Sequence, residues 1–134
     1  MKTFKELTIV TPNKPGKLAQ ALRAVANAGT NLIAIDSSSG YDLNMVRLVT
    51  SDPQKAIRAL EKLKYHITEA DVLGVTILDK PGLLAKVTAI FGKAEVNINY
   101  MYATAAVNGH EAMVIFQLSD LAKGIRALKA ANIA

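Results

Sequence analysis

The sequence predicts an α+β fold made of two βαββαβ repeats, in which antiparallel strands carry the helices on one face. Two recurring segments lead to this prediction. The hexapeptides NKPGKL and DKPGLL stand at 13–18 and 79–84, and the segments SDPQKAIRAL and SDLAKGIRAL stand at 51–60 and 119–128. The offset therefore grows from 66 to 68 residues along the chain. We place the two extra residues in a hairpin turn, where insertions are tolerated, as expected for a duplicated unit.

The first repeat can be followed element by element. It begins with the β-rich run FKELTIVT, which ends at Pro12. An amphipathic helix follows, and Gly29 closes it. NLIAIDSSSG and LNMVRLVT flank a turn at 40–42 and form a hairpin. Asp52 then caps a second helix that has Pro53 at its first position, and YHITEADV supplies the fourth strand.

The second repeat follows the same order but stops early. GVTILD is its first strand, and VNINYMYATA and EAMVIFQLS form its hairpin. By the repeat, Tyr65 and His66 correspond to Ile133 and Ala134, so this copy lacks most of its last strand. The uncovered edge of GVTILD requires a partner, either a tail or a strand from elsewhere.

The repeats define two domains, 1–72 and 73–134, with almost no linker between them. A sheet covered by helices on one face only also leaves apolar surface open on the other. We therefore expect the chain to self-associate, most simply as a homodimer. Tyr100 and Tyr102 share one strand face and are expected to cover an interface, with a ligand contact as the alternative.

Composition narrows the classes of function. The net charge of +5 comes from 16 Lys and Arg spread along the chain without a block of five, and aromatic residues make up only 5%. We therefore expect a solvated basic surface and no nucleic-acid partner. No segment approaches the roughly 18 apolar residues of a membrane span, and the start does not resemble a signal peptide, so a cytoplasmic location is expected.

Catalytic patterns are missing from the sequence. There is no Ser-His-Asp set, no phosphate-binding G-x-x-x-x-G-K, and no Cys or His spacing typical of a metal site. His66 and His110 are isolated, and we interpret both as surface residues. The sequence thus predicts a protein that is not an enzyme and uses no cofactor.

The repeated turn is the best candidate for a binding site. A strand-to-helix bend leaves free backbone N–H groups at the start of the helix, which suit the carboxylate of a ligand. Gly16 and Gly82 allow close approach of the backbone. Pro15 and Pro81 fix φ and give up only a donor that the helix does not use.

These residues resemble those of tandem ACT domains, the small-molecule regulatory modules of amino-acid metabolism. The resemblance rests on the N/D-K-P-G turn, the Leu-Ala pair in the helix, and an Asn 15 residues after the glycine in both copies. It implies a stand-alone sensor of a free amino acid, bound where the turn faces the second strand of a neighbouring repeat. The site residues it implies are Asn13, Lys14, Pro15, Gly16 and Asn31 in one set, and Asp79, Lys80, Pro81, Gly82 and Asn97 in the other.

Structural roles remain open for the same residues. Asn13 and Asp79 alternatively close the turn, Asn31 and Asn97 alternatively mark the passage from helix to strand, and the two lysines are alternatively plain surface residues. At the level of function, the alternative is a ligand-free interaction module that pairs with another subunit or an enzyme.

Overall fold

The computed structural model describes residues 1–104 and 109–133. Helices and strands follow one another in the predicted order, except that the two strands predicted around residue 72 form one strand. The elements are β1 (Lys2–Pro12), α1 (Lys17–Asn27), β2 (Leu32–Gly40), β3 (Leu43–Thr50), α2 (Pro53–Lys62), β4 (Thr68–Leu78), α3 (Leu83–Lys93), β5 (Ile98–Ala103), β6 (Glu111–Leu118) and α4 (Leu121–Ala130). The α+β class with βαββαβ repeats is confirmed. The hairpin insertion predicted for the second repeat falls partly on 105–108, outside the described residues.

The chain divides into two compact units, which we call the first unit (Lys5–Ala70) and the second unit (Met1–Phe4 with Asp71–Ala134). β4 is continuous: it joins the predicted last strand of one repeat to the predicted first strand of the next. The division of the chain into domains at residue 72 stays a prediction.

In the first unit the strand order is β2-β3-β1, followed by the first residues of β4. β3 pairs antiparallel with both β2 and β1. Alternate strand residues pack against α1 and α2, because side chains in a strand point to opposite faces in turn. The core consists of Leu7, Ile9, Ala21, Val25, Val46, Leu48, Ala56 and Leu60.

In the second unit the order is β5-β6-β4, followed by the first residues of β1. Its core holds Phe91 and Phe116 in an edge-to-face contact with ring centroids 5.2 Å apart. Tyr100 pairs with Gln117 and Tyr102 with Ile115, so both tyrosines lie on the face opposite Phe116. Their role in an interface stays a prediction.

The second unit completes its sheet with the start of the chain. No strand follows α4 within the described residues. The position of the fourth strand is taken by the start of β1. Phe4 lies directly over Gly74 of β4, where an added Cβ would stand 2.6 Å from its ring. The uncovered edge is therefore paired by a strand from elsewhere in the chain.

Candidate functional site

The turn between β1 and α1 is tight. The Lys14 N–H donates to the Pro12 carbonyl at 2.9 Å, and the Lys17 N–H donates to the Lys14 carbonyl at 3.2 Å. Gly16 then enters the helix with φ of 85°. Only glycine adopts this left-handed conformation without steric cost, which explains its place in the motif.

The turn between β4 and α3 repeats this geometry. Lys80 N–H donates to the Leu78 carbonyl at 2.8 Å, and Gly82 has φ of 88°. A Cβ built on Gly16 or Gly82 meets nothing within 4 Å. The glycines are therefore required by the backbone angle, and the space beside them is open to solvent or a ligand.

The helices that follow the two glycine turns lack side-chain caps. α2 and α4 are capped by Asp52 and Asp120, which accept hydrogen bonds from the N–H groups of Lys55 and Lys123 at 3.3 and 3.0 Å. α1 and α3 have no side-chain cap and no acidic residue in the first turn. Uncapped N–H groups give a helix start a partial positive charge, which favours an anionic group.

Asn13 ties the first turn to the β2–β3 hairpin. Its Nδ2 donates to Ser39 Oγ at 3.1 Å and to the Tyr41 carbonyl at 2.7 Å, and its Oδ1 accepts from Asn44 Nδ2 at 3.2 Å. Both amide hydrogens of Asn13 are therefore used, and its oxygen accepts one hydrogen bond. Donation from this amide to a ligand would require one of these bonds to break.

The second turn has the same backbone link but different side chains. The Asp79 N–H donates to the His110 carbonyl at 2.8 Å, as the Asn13 N–H does to Asp42 at 2.7 Å. Ala112 stands where the first repeat has Asn44. Within the described residues, no hydrogen bond to the Asp79 carboxylate is found, so this turn is not tied down by its side chain.

A cleft of about 370 Å³ lies beside the second turn. The turn, the start of α3 and the ends of β4, β5 and β6 line it. Its charged residues are Asp79, Lys80 and Glu111. Its apolar residues are Ile77, Leu78, Leu84, Ala103, Ala112 and Val114. The cleft thus joins an apolar wall to both signs of charge at an uncapped helix start, which matches the chemistry of a zwitterion.

Asn31 and Asn97 lie at strand entrances. The Asn31 N–H donates to Ser51 Oγ at 2.8 Å, and the Ser51 N–H donates back to the Asn31 carbonyl at 2.8 Å. Asn97 and Ser119 form the same pair at 2.8 and 2.9 Å. The backbones of both asparagines therefore join the start of the second strand of a repeat to the end of its third strand.

Within one unit the turn and the asparagine do not come together. In the first unit, Leu43 pairs with Pro12 at one end of β3, whereas Thr50 pairs with Leu32 at the other. Seven residues of strand separate these levels, a distance of about 23 Å at 3.3 Å per residue. A small amino acid does not span it, so a ligand shared by turn and asparagine requires a neighbouring repeat or a second copy.

The structure adds residues that the sequence did not single out. Glu111 and Ala112 line the cleft, and Asn44 and Ser39 hold Asn13. The exchange of Asn44 for Ala112 is visible in the aligned repeats, but its effect is clear only once the hairpin is seen against the turn. Lys14, Lys80, His66 and His110 are exposed, which confirms the two histidines as surface residues.

The described residues show neither a metal site nor a membrane-spanning helix. They contain no cluster of His, Cys, Asp or Glu able to hold a metal ion. No described helix is both long and apolar enough to cross a membrane.

Each of the two α+β units therefore has a glycine turn that leads from a strand into a helix without a side-chain cap. The family model described as ACT domain pair matches residues 2–132. The chain therefore belongs to the ACT domain pair family, as its resemblance implied.

Solved structures agree with this assignment. A protein from Bacteroides thetaiotaomicron is 33% identical, with a TM-score of 0.90 over 98% of this chain and 90% of that one. The ligand-free regulatory subunit of aspartate kinase from Thermus thermophilus is 17% identical, with a TM-score of 0.71 over 98% and 97% of the two chains. That from Thermus flavus is 21% identical, with a TM-score of 0.63 over 97% and 95%. At these identities the two kinase subunits show the fold alone. No curated protein matches this chain significantly.

Proposed function

We propose that the protein is a non-catalytic sensor that binds a free amino acid at the second turn and so regulates amino-acid metabolism. The cleft between Asp79 and the β5–β6 strands carries this proposal. Membership in the ACT domain pair family supports it, because these domains are regulatory modules. We place the protein in the cytoplasm as a homodimer, without a nucleic-acid or membrane partner and without a cofactor.

The charges at the cleft suit the two ends of an amino acid. The uncapped start of α3 and Lys80 receive the ligand carboxylate, and Gly82 leaves room for its approach. Asp79 and Glu111 receive the ammonium group. Pro81 holds the turn in the required shape.

The apolar wall selects the ligand side chain. Ile77, Leu84 and Val114 offer aliphatic surface, and among the described residues Lys80 is the one cation that lines the cleft. We therefore expect an amino acid with an apolar side chain to bind better than aspartate or glutamate, whose extra carboxylate would lie near two others.

The first turn is less suited to binding a ligand than the second turn. Both amide hydrogens of Asn13 are used, and Asn44, which donates to its oxygen, stands where the second repeat has Ala112. Gly16 and Pro15 keep the turn geometry, and Lys14 remains exposed. We propose that this copy is mainly architectural, and that Asn31 and Asn97 reach a ligand only from a neighbouring repeat or a second copy.

Thermal shift with each of the twenty amino acids, followed by calorimetry, tests the proposal. Ala112→Asn places the residue of the first repeat in the cleft and is expected to abolish most of the ligand response. Asp42→Asn removes an exposed carboxylate near the first turn instead, and its response should equal that of the wild type. Silence across all twenty amino acids would favour the alternative, a ligand-free module that pairs with another subunit or an enzyme.

A further inference from the structure

A block of apolar side chains is exposed on the first unit, on the sheet face opposite its helices. Val10 pairs with Met45, and Pro12 pairs with Leu43, so these four side chains share a face. Ile9 points to the other face and is buried in the core. Val10, Leu43 and Met45 are 47%, 54% and 41% exposed. Contiguous exposed apolar patches on soluble proteins often mark interaction sites.

Tyr41 adds an aromatic ring at the hairpin beside this block. Its side chain is 95% exposed, although its backbone has φ of 59°, in the left-handed region. The position 68 residues later is Gly109, which adopts φ of 73°. The first repeat thus accepts a steric cost that the second repeat avoids with glycine. Because packing within the chain does not repay this cost, the ring is suited to an outward contact.

We call these five residues the hairpin patch: Val10, Pro12, Tyr41, Leu43 and Met45. An ion pair lies at its edge. Arg47 NH1 lies 3.0 Å from Asp36 Oδ2, and its NH2 lies 3.3 Å from Met45 Sδ. An ion pair at the edge of the patch lets the same surface face itself without net repulsion.

The helices of both units are strongly basic, in contrast to the hairpin patch. α1 and α2 carry one acid, Glu61, against Lys17, Arg23, Lys55, Arg58 and Lys62. α3 and α4 carry no acid and hold Lys86, Lys93, Lys123, Arg126 and Lys129. Two copies that met through these helices would bring like charges together. Self-association is therefore favoured at a neutral apolar surface and disfavoured at the helices.

We propose that the hairpin patch is the surface through which two copies of the chain associate. A symmetric dimer places the same patch of each copy against its equivalent, which requires a surface that complements itself. An apolar block with a neutral edge meets this requirement. The inference rests on the self-association proposed above.

Sedimentation over a range of protein concentrations tests the surface. Met45→Asp places a charge in the patch, and we expect the dimer dissociation constant to rise at least tenfold, or about 1.4 kcal/mol. The matched control is Met101→Asp, which changes a methionine that is 37% exposed on β5 of the second unit. This control should associate like the wild type.

A second variant separates an interface role from a structural one. Tyr41→Gly installs the residue that the second repeat uses, so the monomer should be at least as stable to urea at concentrations where both proteins are monomeric. Its dimer should nevertheless be weaker.

The possible results are distinguishable. If both Met45→Asp and Tyr41→Gly associate like the wild type, the hairpin patch is not the dimer interface, although the chain still forms a dimer. A wild type that stays monomeric at all concentrations would overturn both the interface and the dimer. Binding at the cleft of a single chain is measured separately by thermal shift, whereas a monomeric wild type would also exclude a contribution of Asn97 from a second copy.

Discussion

At the scale of single residues, one change between the repeats alters the role of the same turn. Asn13 makes three side-chain hydrogen bonds to the hairpin. Asp79 makes none within the described residues. The sequence predicted both turns and their glycines, because a left-handed residue before a helix has a local signature. The charge of Asp79 against the neutral Asn13 also indicates in the sequence that the two sites are unequal. The sequence did not predict the hydrogen bonds that separate the two turns, since Asn44 and Ala112 lie about 30 residues further along the chain.

The hydrogen bonds of Asn13 predict an unequal effect of two matched mutations. Asn13→Ala should lower the free energy of unfolding by about 1 to 2 kcal/mol, since exposed hydrogen bonds contribute modestly and three are lost. Asp79→Ala should change it by less than about 0.5 kcal/mol, as is usual for surface substitutions. Urea unfolding of both variants provides the measurement. Equal losses would mean that the second turn is tied to its hairpin as firmly as the first.

At the scale of elements, the sequence predicted that the first strand of the second repeat needs a partner at its edge. It did not predict that the start of β1 is this partner. Periodicity and turn residues are local, so they predicted the helices, the hairpins and the early end of the second repeat. The pairing of the start of β1 with the second unit joins residues more than 65 positions apart. The sequence also divided β4 into two strands, because the division followed the repeat, whereas the backbone continues without a break.

Deletion of Met1–Phe4 tests this replacement. The second unit would lose the strand beside β4 and the ring that covers Gly74. We expect amide exchange to become faster in β4 around Leu73, since its backbone groups lose their partners there. β2 and β3 of the first unit serve as the internal control and should keep their protection. Undiminished protection of β4 would contradict the role assigned to the start of β1.

At the scale of the whole molecule, duplication did not produce two equivalent halves. The first unit has a turn that Asn13 bonds to the hairpin, and it has the exposed hairpin patch. The second unit has an open cleft at the equivalent turn. The proposed roles therefore differ between the units: the first unit carries the proposed surface for association, and the second unit carries the proposed ligand site. The shared K-P-G motif reports the backbone of each turn and not the side chains around it, so the motif does not distinguish the two repeats.

A ligand site in the second unit only predicts one amino acid bound per chain. At 100 times its dissociation constant, the ligand should stabilise the native state by about 2.7 kcal/mol, which corresponds to a thermal shift of several degrees for a domain pair of this size. Calorimetry should give a stoichiometry near one, and Ala112→Asn should remove that single site. The reciprocal variant Asn44→Ala is the control: it opens the first turn and should leave the wild-type heat unchanged.

Asn97→Ala decides whether a second copy contributes to the same site. Asn97 is at the opposite end of its own unit from the turn, by the same order of elements that separates Asn31 from Asn13. A weaker ligand response in this variant therefore requires that the asparagine comes from a neighbouring repeat or a second copy, and with a second copy the response should depend on protein concentration. We expect this dependence, because the side chain of Asn97 is exposed. An unchanged response of Asn97→Ala would confine the site to the cleft. In the calorimetry described above, a stoichiometry of two would contradict the proposal that the first turn binds no ligand.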